Sequence, residues 1–250
     1  MDDVVEAVRQ YYRGNKIAPL SFKCEHYAEC RKGHPSFVKA REPFIGRRYG
    51  KDGLPRLLFI SSNPPRGSRK PEDRTLTAAR RWEETICDHS RLPKPLHWYR
   101  THEMAHGIFK QFKQAAPEVI DCCRYFAHTN SAKCTTNAPN GREGPARLFR
   151  NCQQFLRGEI EALEPDVVIT QGKMAGIALR DALGARGASI RGHKQNNTPL
   201  TVGCRHIVIG DRKILWIHSS HPRAYGPFNQ ERDNRWVRWA RVALESAQER

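Results

Sequence analysis

Short apolar runs alternate in this chain with stretches of helical periodicity, and two of the runs end in a polar residue beside proline. Leu57-Leu58-Phe59-Ile60 leads into Ser61-Ser62-Asn63-Pro64-Pro65, and Ile214-Leu215-Trp216-Ile217 leads into His218-Ser219-Ser220-His221-Pro222. Runs this short and this apolar fit strands buried on both faces. With helices between them they form βαβ units, and ligands bind at the carboxyl ends of such strands. The pattern predicts an α/β fold: a single three-layer α/β/α domain over residues 1–250 with a mostly parallel central sheet of about four strands.

The predicted strands are Arg56 to Ile60, Cys123 to His128, Asp166 to Thr170 and Lys213 to Ile217, the last forming a possible hairpin with Arg205 to Val208. Helical spacing covers residues 4–13, 77–86, 103–115, 145–162, 173–183 and 230–248. Residues 1–53 hold the first helix and an irregular cysteine-containing loop. Residues 66–102 read as a basic, aromatic insertion.

Charge narrows the partners. Lys and Arg number 43 against 26 acids, a formal net charge of +17 spread along the whole chain. That surplus favours a polyanion, with DNA as the expected partner. No run of about 18 apolar residues suggests a membrane span, and Met1-Asp2-Asp3-Val4 lacks a signal-peptide pattern, so a cytoplasmic monomer is expected. Eight cysteines in such a protein point to metal ligation or burial rather than disulfides.

Four strand-end loops carry polar groups: Ser62-Asn63-Pro64, Thr129 to Cys134, Thr170 to Lys173, and His218 to Pro222. Singly, each is an ordinary turn or a structural histidine. Together they suggest one site. None supplies the carboxylate cluster that a metal-dependent nuclease or phosphohydrolase needs.

The order of these segments resembles the uracil-DNA glycosylase superfamily. Phe126 to Cys134, Cys152-Gln153-Gln154-Phe155-Leu156, Ile160 to Gly172 and His221-Pro222 are similar to its iron–sulfur-containing bacterial and archaeal branch, over residues 55 to 240. The resemblance implies a monofunctional DNA glycosylase that flips out a uracil-like or modified pyrimidine and leaves an abasic site. It assigns Asn63 to the water-preparing first motif, its neighbour Ser62 to base binding, Asn130 to the edge of the flipped base, and His221 to the departing base. Asn directly before Pro departs from that branch and is closer to the mismatch-specific and single-strand-selective branches.

The family places a base-stacking aromatic in the long segment, with Trp98 and Tyr99 as candidates. Arg66, Lys133, Arg223 and Tyr225 are candidates for DNA contact. Cys24, Cys30, Cys134 and Cys152 match the branch's four [4Fe–4S] ligands, but C-x5-C replaces the usual C-x2-C, so zinc or no metal stays open. The extra length of residues 66–102 raises a larger base, such as glucosylated 5-hydroxymethylcytosine in phage DNA, with a defence role. A non-catalytic binder of damaged or modified DNA is the alternative.

Overall fold

The computed structural model describes residues 2–34, 36–64, 68–88, 96–112, 116–136, 145–184 and 203–248. Its centre is a six-stranded sheet, two strands more than expected, in the order β1-β3-β2-β4-β6-β5. The strands are β1 (Phe44–Ile45), β2 (Leu57–Ser61), β3 (Phe126–Asn130), β4 (Val167–Gln171), β5 (Gly203–Ile209) and β6 (Arg212–Ser219). The inner four are parallel, and β1 and β5 close the two edges antiparallel. The expected hairpin is β5–β6. β1 escaped the sequence because two residues carry no periodicity.

Eight helices complete the described residues: α1 (Asp2–Gly14), α2 (Tyr27–Arg31), α3 (Leu76–Asp88), α4 (Leu96–Phe109), α5 (Ala146–Leu163), α6 (Lys173–Gly184), α7 (Tyr225–Asn234) and α8 (Trp236–Gln248). The pleat sends alternate side chains to opposite layers. Leu58, Ile60, Ala127, Val168 and Trp216 pack with Val8, Tyr12, Leu156, Ile160 and Leu179 of α1, α5 and α6. Leu57, Phe59, Phe126, Ile169 and Ile217 pack with Met104, Ile108, Trp236 and Trp239 of α4 and α8. This double burial is why the parallel strands read as continuous apolar runs.

Three boundaries differ from the sequence expectation. The segment before β3 is a 3-10 turn over Val119–Tyr125, so the strand starts at Phe126 and reaches Asn130. The helix expected from Glu103 begins at Leu96, so the described part of residues 66–102 includes α3 and the start of α4. The last helix is two, interrupted at Arg235, with Pro227 in the first turn of α7, where its missing N–H costs nothing.

Candidate active site

Ser61, Asn130, Gln171 and Ser219 stand at the carboxyl ends of β2, β3, β4 and β6. Ser61 is registered with Asn130, and Gln171 with Ser219. Pleat alternation puts Ser61, His128, Asn130 and Gln171 on the layer that carries Phe59, Phe126 and Ile169. α4 crosses this layer, with His97 and Thr101 one turn apart. Thr101 and Gln171 are fully buried.

The loops after β2 and β3 are fastened together. Ser131 N donates to Ser61 O (2.8 Å), Ala132 N to Ser62 O (2.9 Å), and Ser131 Oγ also to Ser62 O (2.8 Å). Asn63 is half-buried, and its Nδ2 donates to Thr135 Oγ1 (3.3 Å) and Pro64 O (3.3 Å). With Nδ2 so engaged, Oδ1 is the atom that can accept from a water. Thus the first-motif residue is tied through its own side chain to the loop that carries Asn130.

Asn130 is 7 % exposed, and its Oδ1 is buried without a hydrogen-bond partner. Leaving a buried acceptor unmet costs about 1–3 kcal/mol, so Oδ1 favours a donor aimed at it. A ligand N–H arriving there relieves that cost. The amide nitrogen beside it supplies a donor, so one side chain can read a donor and an acceptor on the same edge.

Lys133 does not face DNA, contrary to the sequence expectation. Its side chain is 1 % exposed and forms a buried ion pair with Glu159. Nζ also donates to Asn130 O (2.7 Å) and Thr129 Oγ1 (3.1 Å). Tyr12 OH and Thr129 Oγ1 donate to the other Glu159 oxygen. A lone lysine after a strand reads as a surface cation. The carboxylate that draws it inward, Glu159, lies on α5, and no local pattern announces the pairing.

His221 follows β6 and is half-buried. The Arg223 backbone N–H donates to its Nδ1 (3.1 Å), so Nδ1 carries the lone pair and Nε2 carries the proton. Burial, then the Arg223 charge, lowers its pKa, which keeps this neutral tautomer at neutral pH. Gly172 makes room for it: at φ +90° and with no side chain, it lies where a Cβ would come within 3.0 Å of His221 Cβ.

Two further groups hold the His221 loop. Both Glu231 carboxylate oxygens accept from Ser220 N (2.9 and 3.1 Å). Arg100 of α4 donates to Pro222 O (2.7 Å) and lies over the Tyr225 ring at 4.3 Å. Arg223 and Tyr225 are exposed, Tyr225 by 56 %, on the rim next to His221.

The aromatic candidates resolve differently. Trp98 is a core residue, packed edge-on against Phe44, Phe126, His102 and His128, so neither ring face is offered to a base. Tyr99 lies beside Glu103, whose carboxylate, after partial burial, raises the phenol pKa. The α4 ring that reaches the site is His97. Its centroid is 5.3 Å from that of His221, and its Nε2 is 3.4 Å from Ser61 Oγ. The sequence gives no sign of His97, Thr101 or Glu231 at the site, because its periodicity starts α4 at Glu103 and does not separate α7 from α8. Arg66 lies outside the described residues.

The four cysteines come from three segments. Cys24 precedes α2, Cys30 lies on it, Cys134 follows the Asn130 loop, and Cys152 is on α5. Asn151 Nδ2 donates to Cys30 Sγ (3.4 Å), and Lys133 N to Cys152 Sγ (3.3 Å). Burial first, then the other three thiols, raises the Cys134 pKa well above its ordinary value. Among the described residues, no three His, Cys, Asp or Glu side chains converge tightly enough to hold a single metal ion.

A buried cation beside these thiols bears on what they could hold. Val38 pairs with Thr135, and Arg41 N donates to Lys133 O (3.1 Å), so residues 38–41 run along the Cys134 segment. Arg74 is 3 % exposed; its Nε donates to Ala40 O (3.1 Å), and its Nη2 is buried and unpartnered. Burial and the Arg41 charge lower the Arg74 pKa to about 10, and Cys134 acts in the opposite sense. Among the described residues neither guanidinium forms an ion pair with a carboxylate, and two such cations suit a negatively charged group built on thiolates.

The family model for the uracil DNA glycosylase superfamily matches residues 47–243. No curated protein matches the chain.

Proposed function

The chain belongs to the uracil DNA glycosylase superfamily, and we propose that it is a monofunctional DNA glycosylase, acting as a monomer, that hydrolyses the N-glycosidic bond of a flipped uracil-like pyrimidine. The observation that carries this reading is the unpartnered Oδ1 of Asn130 at the strand ends. The N3–H of uracil is the kind of donor it lacks, and the neighbouring Nδ2 can donate to a ring carbonyl.

In this reading the base leaves the stack and enters the space bounded by Asn130 and His221. As the C1′–N1 bond breaks, its electron pair leaves with the base. His221 Nε2–H donates to the developing anion, a type of contact whose removal costs about 2.7–4 kcal/mol. A water accepted by Asn63 Oδ1 adds through its oxygen to C1′, and its proton passes to the medium. The products are an abasic site and the free base. Asn63 is no strong base, and the cationic sugar needs none. The burial of Lys133 in an ion pair supports hydrolysis rather than a Schiff-base mechanism. Arg223 and Tyr225 on the rim are suited to the DNA backbone and the gap left by the base.

Cys24, Cys30, Cys134 and Cys152 would hold a [4Fe–4S] cluster, as in the iron–sulfur branch. The buried Arg74 and Arg41 support this assignment, and the spread of the thiols, too wide for one metal ion among the described residues, weighs against zinc. The cluster would act structurally, fastening the α2 segment to α5 and the Asn130 loop.

A bulky modified cytosine, with a role in defence against phage, is a second substrate to test. The first-motif Asn63 favours it. The test is incubation with DNAs carrying uracil, mismatched uracil or glucosylated 5-hydroxymethylcytosine, followed by alkali cleavage. Strand breaks in uracil DNA, lost in His221→Ala, are expected. Binding without breaks in any DNA would instead favour the non-catalytic binder.

A further inference from the structure

We propose that His97 is a positioning residue for His221, held in a single tautomer by a proton-ordered chain of side chains that ends on a backbone carbonyl. The proposal rests on the role given to His221 above.

The order of protons follows from groups that can act in only one direction. Thr101 Oγ1 is 3.1 Å from His97 O, and a carbonyl only accepts, so the single hydroxyl proton of Thr101 is spent there. Thr101 Oγ1 therefore accepts from Gln171 Nε2 (2.9 Å). That fixes the Gln171 amide with Oε1 toward Ser61, and Ser61 Oγ donates to it (3.0 Å). With its proton committed, Ser61 Oγ can only accept from its remaining neighbours. These are His128 Nε2 at 2.9 Å and, more loosely, His97 Nε2 at 3.4 Å. Both rings must then carry their proton on Nε2.

The chain joins α4, β4, β2 and β3, with Thr101 and Gln171 fully buried and Ser61 5 % exposed. At its open end the His97 ring packs on the His221 ring, centroids 5.3 Å apart and planes tilted by 33°. A flat, uncharged ring there restricts rotation of the His221 imidazole while leaving its Nε2–H outward. A protonated His97 would face His221 and Arg223 from the β6 loop and His128 from β3. Burial, with His221 and Arg223, pushes its pKa down to about 3. Gly172 bounds His221 on another side, so the imidazole lies between a glycine and a fixed neutral ring.

Long-range nitrogen–proton NMR of histidine-labelled wild-type protein, from about pH 5.5 to about pH 8, reads the tautomers directly. His97 and His128 are expected as Nε2–H throughout. An Nδ1–H form of His97, or its titration in that range, would overturn the proposal. In His97→Leu, which removes both the donor and the flat ring, His221 is expected to lose its single tautomer signal. Its single-turnover excision rate is expected to fall at least about tenfold, with DNA affinity kept within about twofold. His97→Gln places an amide N–H where Nε2 was and is expected to recover most of that rate.

A Leu variant that folds and matches the wild type in His221 signal and rate would sink the idea. Should His97→Leu unfold, the Gln variant and the wild-type spectra decide. Should wild-type protein excise nothing from any DNA, the glycosylase reading falls, and the effect of His97 on the His221 signal still judges the positioning role.

Discussion

Arg100 donates to the carbonyl of Pro222 across 2.7 Å, so helix α4 holds the residue that immediately follows His221. The same guanidinium lies over Tyr225 at 4.3 Å and Phe228 at 5.3 Å. One side chain thus joins the cover of the sheet to the loop bearing His221.

Arg100→Ala is expected to loosen that loop without unfolding the protein. Loss of a charge-assisted bond to a carbonyl is worth about 1.5–3 kcal/mol, part of which falls on the aim of His221. Single-turnover excision should slow by about tenfold, with a smaller change in DNA affinity. Arg100→Lys keeps the charge but not the planar fork, and should recover only part of the rate.

Lys133→Ala is expected to be strongly destabilising, because it leaves Glu159 charged and buried. Removing one partner of a buried pair costs about 3–5 kcal/mol. The double change Lys133→Met with Glu159→Leu should recover much of that loss in a urea melt. Were Lys133 a DNA contact, the single variant would instead keep its stability and lose salt-dependent affinity.

Acid should weaken both catalysis and the fold, through histidines buried in neutral form. The His221 pKa is lowered from 6.5 by burial and Arg223, so excision should be flat at and above neutrality and fall only in acid, below that ordinary value. For stability, the folded-state pKa values of His102 and His218 are each pushed down to about 4, and that of His97 to about 3. Below the unfolded value near 6.5, the unfolded chain binds more protons than the folded one, so stability present above it is lost as pH falls toward 4. Each such histidine can remove about 1.4 kcal/mol per pH unit in that window. Thermal melts at stepped pH check the slope. A melting temperature constant from neutrality to pH 5 would contradict it.

If the cysteines hold an iron–sulfur cluster, protein purified without air should be brown, with about four irons and four sulfides per chain. Cys134→Ser should lose that content. Arg74→Gln removes the buried cation beside Cys134 and should lower iron content, or make the cluster harder to reduce, with zinc content unchanged. One zinc per chain and no iron would assign the thiols to zinc.

The parallel strands were legible because burial on both faces writes a simple pattern: Val167 to Ile169 and Leu215 to Ile217 are apolar without interruption. The strand-end loops were legible because Asn63-Pro64 and His221-Pro222 combine a polar group with a rigid neighbour. What failed was whatever depends on a distant partner. Lys133 reads as a surface cation until Glu159 is placed beneath it. Trp98 reads as a stacking platform until Phe44 and Phe126 are seen to enclose it. His97 reads as part of a basic, aromatic segment until the start of α4 moves back to Leu96, which sets it one turn before Thr101.

The bonds from Ser131 and Ala132 to the carbonyls of Ser61 and Ser62 have a historical consequence. The two loops cannot vary in length separately, since one residue added to either would misalign the side-chain amides of both Asn63 and Asn130. Lineages descending from such a chain could exchange side chains at positions 63 and 130, but not resize these loops one at a time. Variation in length is left to the connections farther from the seam, among them the stretch between β2 and β3 that forms α3 and α4.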